Sequence, residues 1–431
     1  MPTPGLADAR PATRPLTNWA GNVAFRAARV HRPATVAALQ SVVAGAQRVR
    51  ALGTGHSFNR IADTDADLVS VAGLPPVLEV DAGRRSARVS AGSRFGELVG
   101  PLHAAGFALH NLGSLPHISI AGAIATGTHG SGVGNGTLAS AVSALELVTA
   151  DGSLRRISRA DDPDRFDGSV IALGALGVVH TVELDVQPAY DLRLWVYDGL
   201  PLDTLLHRLD EVLASGYSVS AFWDWRSDGA QVWRRLLADD GEAPHEWLGA
   251  ALADGPRHPI PGLPGTMCSE QLGVVGPWHA RLPHFRLEFT PSSGEELQSE
   301  WFVDRRDAVA AWASLADLRE QIAPLVQITE LRAIAADRLW LSPSADRDTV
   351  AFHFTWVRDE RAVAPVVAAV EQRLSAFAAR PHWGKVFGTP PDVVRRLYSR
   401  FDDFEALVRA ADPAGKLRNE LLEAYLPGAR G

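Results

Sequence analysis

Between Ser119 and Gly136 the chain reads SIAGAIATGTHGSGVGNG, with six glycines in eighteen residues. Glycine weakens the interior of a helix or a strand, so this stretch folds as a chain of turns with at most a short helix at its start. Its small residues let other backbone approach closely, and its free N–H and hydroxyl groups suit a wall for pyrophosphate. A shorter cluster, LGTGHSFN from Leu52 to Asn59, closes a predicted strand in the same way. Taken alone, each cluster is equally readable as a set of tight turns. The dinucleotide fingerprint GxGxxG opening a helix after the first strand is missing, which argues against a nicotinamide-binding Rossmann domain.

Composition narrows the class. A chain of 431 residues exceeds what one hydrophobic core usually supports, and 46% hydrophobic with 21% charged residues describes an ordinary globular protein. A net charge of −8 without a dense Lys/Arg run speaks against a nucleic-acid partner. One cysteine, Cys268, rules out an internal disulfide or a thiolate metal cluster and fits a reducing cytoplasm. No HExxH or GxSxG motif supports a metalloprotease or a serine hydrolase. The N-terminus, MPTPGLADARPATRPLTNWAGN, lacks the apolar run of a secretory signal and reads as a frayed Pro/Ala leader, and no stretch has the length of a membrane span.

Periodicity organises the chain as α+β. Thr35 is placed to cap a helix through Ala46, followed by a strand through Val49 to Leu52. Val77–Asp81 and Ala87–Ala91 form a hairpin, Arg94–Ala105 a helix closed by Gly106, and Leu145–Thr149 with Leu154–Ile157 a second hairpin about Asp151-Gly152. Val178–Val186 is a further strand. Ten of the twelve tryptophans lie from Trp223 onward, which marks a second domain. In it, strands are expected near Phe285–Phe289, Val326–Ile334 and Thr349–Trp356, with helices at Arg305–Ile322 and Glu360–Ala378. Alternation puts Glu330 and Arg332 on one face of their strand, and His353 and Thr355 on one face of theirs. By themselves such faces meet water or line a pocket.

Four segments together carry a resemblance: RVRALGTGHSFN, NLGSLPHISIAGAIATGTHGSGVGNG, the strand with Glu330 and Arg332, and PHWGK. They resemble the vanillyl-alcohol oxidase type of flavoprotein, and most closely the alditol (xylitol) oxidases, from about Thr17 to the DPAGK segment. The resemblance implies a two-domain FAD protein, with residues 17–190 and 382–431 forming the FAD-binding domain and 191–381 an inserted substrate (cap) domain. It implies FAD bound covalently through His56, a single link because Cys268 lies outside any matching motif. FAD contacts carry over to Ala51, Leu52, Gly53, Thr54, Gly55, His56 and Ser57, to Ser114, Ser119 and Gly122, to Thr126, Gly127, Thr128 and His129, and to Val179 and His382. Gly113 would pass beside the reactive part of the flavin, leaving room for oxygen.

On the substrate side the resemblance implies a polyol pocket of Ser114, Glu330, Arg332, Thr355 and Lys385, with His353. Such groups match the donors and acceptors of vicinal hydroxyls. Arg332 and Lys385 would stabilise charge on the substrate oxygen, and His353 would take the hydroxyl proton, with neutral Lys385 as the competing base. Trp356 and Trp383 either present flat faces to the carbon chain or belong to the core. The implied activity is oxidation of an alditol of the xylitol or sorbitol class to the aldose, with O2 reduced to H2O2, by a cytoplasmic monomer that needs no metal. Two alternatives remain at this point: an aldonolactone dehydrogenase of the same superfamily, and a non-catalytic sugar-binding protein that keeps flavin as a structural element.

Overall fold

A computed structural model describes residues 16–429, so residues 1–15 of the Pro/Ala leader lie outside the described residues, while its end is packed rather than frayed, with Thr17 bridged to Ala24 and Asn18 and Ala20 buried. Helix α1, Val36–Gly45, starts where Thr35 accepts a hydrogen bond from the Ala38 amide at 3.1 Å, and it buries Leu39 and Val43. The chain continues into β1, Val49–Ala51, in a three-stranded parallel sheet with Asp67–Val69 at its centre and Arg29–His31 beyond. Both expected hairpins form, Leu78–Asp81 with Ser86–Ser90 and Val142–Val148 with Leu154–Ser158. Val178–Asp185 lies between them and completes a five-stranded antiparallel sheet. Helices Phe95–Ala104 and Ile120–Ala125 pack on this sheet through Leu98, Leu102, Ile120 and Ile124. The C-terminal helices Phe401–Ala411 and Glu420–Tyr425 return to the same core with Phe404, Val408 and Leu422.

A second domain is built on a ten-stranded antiparallel sheet that includes β2, Glu296–Asp304, β3, Val326–Ile334, and β4, Thr349–Val357. The three lie side by side in the order β3-β4-β2. One face carries Trp301, Phe352, Phe354 and Trp356, which pack with Trp223, Trp225 and Trp312 against Ala308–Ser314 and α2, Glu360–Leu374. The tryptophan skew is therefore mainly an aromatic core. Trp356 belongs to it and Trp383 to the core of the first domain, each fully buried. The opposite face of β2–β4 carries polar side chains.

Three expectations are corrected. Phe285–Phe289 is not a strand. Only Phe285 makes an isolated bridge, to Cys268, because this segment is spent on docking: the His284 and Phe285 amides donate to the Ser114 carbonyl, and His117 Nε2 donates toward the carbonyls of Leu287 and Phe289. Arg305–Ile322 is not one helix but α-helical at Ala308–Ser314 and Arg319–Ile322 between 3-10 turns, and the Ser314 hydroxyl donates back to Ala311 O at 2.6 Å where the first piece ends. Regular helix in α2 ends at Leu374 rather than Ala378, after which a 3-10 turn leads to left-handed Ala378.

Candidate active site

A long cleft runs between the two domains. At one end it is lined by Arg50, by Ala91 and Gly92, by Leu145, Leu147 and Val182 of the five-stranded sheet, and by Leu176 in the turn before one of its strands. At the other end stand Glu300, Glu330, Arg332, His353, Thr355 and Lys385. The loop after β1 and the glycine-rich stretch form the wall in between. These two clusters are pinned to each other: the Ser119 amide donates to Thr54 Oγ1 at 3.1 Å, and the Thr54 amide donates to Ser119 Oγ at 3.3 Å. A methyl group on Gly53 would collide with Ser119 Oγ, so glycine there is a condition of the contact.

His56 stacks on Trp19, ring centroids 5.5 Å apart and 16° from parallel. Its Nδ1 lies 3.0 Å from Thr54 Oγ1, while its Nε2 is buried without a partner. Burial lowers its pKa to about 4, so the ring is neutral and one nitrogen keeps a free lone pair. The PHWGK segment closes the wall. Asn59 Nδ2 donates to the carbonyls of Trp383 and Lys385, both at 2.9 Å, and the Phe58 amide donates to Gly384 O at 2.7 Å.

The polar end is an ordered layer across three strands. Register places Glu330 of β3 beside His353 of β4, and His353 beside Glu300 of β2; the adjacent row holds Ile328, Thr355 and Gln298. Glu300 is 1% exposed, with Oε1 accepting from Arg332 Nη2 at 2.7 Å and Oε2 from Lys385 Nζ at 2.7 Å. His129 Nε2 lies 3.2 Å from Oε1. The other Arg332 terminal nitrogen donates to Ser114 Oγ at 3.2 Å. Glu330 faces Arg332 Nε and His353 Nδ1, each at 3.5 Å, and His284 Nε2 at 3.4 Å. Although burial opposes ionisation, the neighbouring Arg332, His284 and His353 hold the Glu330 carboxyl far below the usual range, and Lys385, His129 and Arg332 do the same for Glu300. Burial lowers His353 to about 4, and it lowers His129 and His382 as well. Two carboxylates thus face the Arg332 guanidinium and the Lys385 amine among imidazoles whose pKa burial lowers.

Of the cofactor and substrate residues expected from sequence, all but Gly127 and Gly113 line this cleft: Ala51 to Ser57, Ser114, Ser119, Gly122, Thr126, Thr128, His129, Val179, Glu330, Arg332, His353, Thr355, His382 and Lys385. Gly127 does not. Its backbone is left-handed at φ +72° and its Cα faces the Pro343 ring. Gly113 is off the lining too, with Thr128 and Ile118 side chains beside it. Sequence reasoning missed Glu300, Gln298 and His284, and also Arg235, a fully buried guanidinium behind Glu330 whose two terminal nitrogens lack hydrogen-bond partners. Cys268 is buried in an apolar cluster, and burial raises its thiol to about 12, which makes it unreactive.

The residues present fit FAD. A glycine-walled groove with paired loops suits the pyrophosphate, the apolar end suits an adenosine, and His56, which lines the cleft, keeps a buried Nε2 without a partner. Among the described residues no group of acidic, cysteine or histidine side chains could hold a metal, and no helix is long and apolar enough to cross a membrane.

Comparison with known proteins agrees with this geometry. A family model described as an FAD binding domain matches residues 27–158, and one described as D-arabinono-1,4-lactone oxidase matches residues 294–425. The chain is 50% identical over 417 residues to an alditol oxidase of a Streptomyces species, covering 96% of this chain and 99% of that protein. It is 29% identical to the L-gulono-1,4-lactone dehydrogenase of Mycobacterium tuberculosis, covering 95% of this chain and 98% of the relative. Among solved structures, cholesterol oxidase from Brevibacterium sterolicum shares the fold, with a TM-score of 0.76 at 16% identity over 96% of this chain and 97% of that one. The glycine-walled cleft, the two-domain fold and the full-length identity lead to one assignment: the chain belongs to the alditol oxidase family, FAD-binding oxidoreductases of the vanillyl-alcohol oxidase type.

Proposed function

We propose that the protein is an FAD-dependent oxidase that converts an alditol of the xylitol or sorbitol class to the aldose, with O2 reduced to H2O2. The observation that carries this reading is the polar layer, in which Glu330, Arg332, His353, Thr355 and Lys385 meet Ser114 at one end of the cleft. An apolar pocket would not orient a chain of hydroxyls, whereas carboxylate acceptors beside cationic and hydroxyl donors do. We take residues 17–190 and 382–431 as the FAD-binding domain and 191–381 as the cap.

FAD supplies a two-electron acceptor when bound. His56 is its covalent anchor through the unpartnered imidazole nitrogen, and Cys268, buried and unreactive, leaves this the single link. Ala51 to Ser57, Ser114, Ser119, Gly122, Thr126, Thr128, His129, Val179 and His382 hold the cofactor, and Gly127 shapes the wall from behind. Arg332 and Lys385 hold the oxygen of the reacting hydroxyl and stabilise the charge that grows there. His353 takes the hydroxyl proton on Nε2. That atom is buried and unpartnered, and Nδ1 turns to the Glu330 carboxylate, which leaves the Nε2 lone pair free. Glu330, Thr355 and Ser114 bind the remaining hydroxyls. A cytoplasmic setting suits the lone buried thiol, and we place the protein there as a monomer.

Peroxide formation from xylitol under air, with bleaching of the flavin by xylitol without air, is the expected result. Bleaching by an aldonolactone but not by xylitol, without peroxide, would favour the second reading, an aldonolactone dehydrogenase, which the D-arabinono-1,4-lactone oxidase match over residues 294–425 keeps in view. Unchanged colour with every polyol tested would favour a binding protein. Acid precipitation should leave yellow colour in the pellet, and His56→Ala should release it to the supernatant.

A further inference from the structure

Of the 42 lysine and arginine residues in the chain, only Lys385 and Lys416 are lysines. Lys416 sits near the surface and donates to the carbonyls of Val43 and Ala44. Lys385 is enclosed at the polar end of the cleft, in a chain whose other cations, Lys416 apart, are arginines. A guanidinium stays charged under almost any burial, but an ammonium does not. The charge of this one lysine is therefore set by its surroundings.

We propose that Glu300 is the positioning residue that keeps Lys385 an ammonium and turns Arg332 toward the substrate. Glu300 grips the lysine twice. Its Oε2 accepts from Lys385 Nζ at 2.7 Å, and its backbone carbonyl accepts from the His382 amide at 3.0 Å, which fixes the segment that carries Lys385. Its other oxygen holds one Arg332 terminal nitrogen, leaving the second to reach Ser114. The remaining groups that face Lys385 divide. Arg332 on β3 opposes its charge and Glu330 on β3 supports it, while His353 on β4, His129 on the glycine wall and His382 beside it are neutral by burial. Burial is the largest influence on Lys385 and lowers its pKa; Glu300 is the largest influence against it. Without the carboxylate the lysine gives up its proton within the working range, and the site loses one of the two cations facing the substrate oxygen. The proposal rests on the alditol reading for its effect on turnover, but the charge of Lys385 is measurable without turnover.

The test uses FAD-loaded Lys416→Arg protein grown with lysine labelled with carbon-13 at Cε, so that a single NMR signal reports Lys385. The signal should show an ammonium at pH 7.5, and Glu300→Gln should move its titration midpoint down by one pH unit or more. In parallel, the alkaline limb of kcat/KM for xylitol should shift down in Glu300→Gln and return when Lys385→Arg is added. A neutral Lys385 at pH 7.5 in otherwise native protein overturns the proposal, as does a midpoint that Glu300→Gln leaves in place. Should Glu300→Gln fail to hold FAD, the native titration and the Lys385→Arg profile still decide: the Arg variant must lose the alkaline limb, and an unchanged limb overturns the proposal. Absence of any alditol turnover would sink the substrate reading alone, because the NMR arm needs none.

Discussion

His353 combines two features that fix its chemistry. Its Nδ1 faces a carboxylate that stays ionised, and its Nε2 is buried with no protein partner. Burial holds its pKa near 4, so the imidazole is neutral at neutral pH, as the proposed proton acceptor must be. Activity should therefore fall as pH drops through about 4, and His353→Asn should lower kcat roughly 10²- to 10⁴-fold, measured by stopped-flow bleaching of the flavin. Gly53 fails differently. A methyl group there has nowhere to go but into Ser119 Oγ, so Gly53→Ala should cost about 1–3 kcal/mol of stability and weaken FAD retention. Adding Ser119→Ala should recover part of the loss in thermal melts.

The loop between β3 and β4 braces the glycine-rich wall through Asp337, whose carboxylate accepts from Ser342 Oγ at 2.6 Å, Leu339 N at 3.0 Å and Thr137 Oγ1 at 3.1 Å. Burial raises its pKa to about 6, so the folded chain holds a proton there that the unfolded chain has released by about pH 4. This contribution is complete below pH 4 and is lost as pH rises through 6, about 3 kcal/mol in all. Asp337→Asn should flatten the pH dependence of Tm across that window. In the large sheet, β3 and β4 were legible because β-branched and aromatic residues alternate with the pocket residues, as in Val350, Phe352, Phe354 and Trp356 around His353 and Thr355. Strand β2 was not, since Glu296, Gln298 and Glu300 give it a face as polar as one in water although all nine residues are buried. Glu300 was hidden with its strand, and Phe285–Phe289 looked like a strand because its apolar residues serve a docking loop. Register across strands, which brings Glu300 beside His353, has no local signature.

At the scale of the molecule, distant parts of the chain are tied together at the rear of the cleft by Arg50. Its fully enclosed guanidinium donates to the carbonyls of Ile61, Leu173, Gly174 and Leu417, which joins the parallel sheet, the turn before the strand Val178–Asp185 and the C-terminal segment. Arg50→Met removes the donor from the carbonyls of Leu173, Gly174 and Leu417 at about 1–3 kcal/mol each, while Ile61 keeps its bond from Asn419, so Tm should drop by many degrees, with protease sensitivity appearing near residue 417. The two-domain plan was legible from the tryptophan skew and the glycine clusters. The wide sheet that carries the substrate end was not, because its pairings join strands far apart in sequence. The closure of the wall by PHWGK has a bearing on how the protein is made. Asn59 waits for Lys385 across 326 residues, roughly 16–65 s of synthesis at about 5–20 residues per second. The ribosome therefore delivers His56 long before it delivers Lys385, and a chain interrupted before PHWGK lacks the segment that closes the wall of the cleft: the finished cleft exists only in molecules translated through that segment.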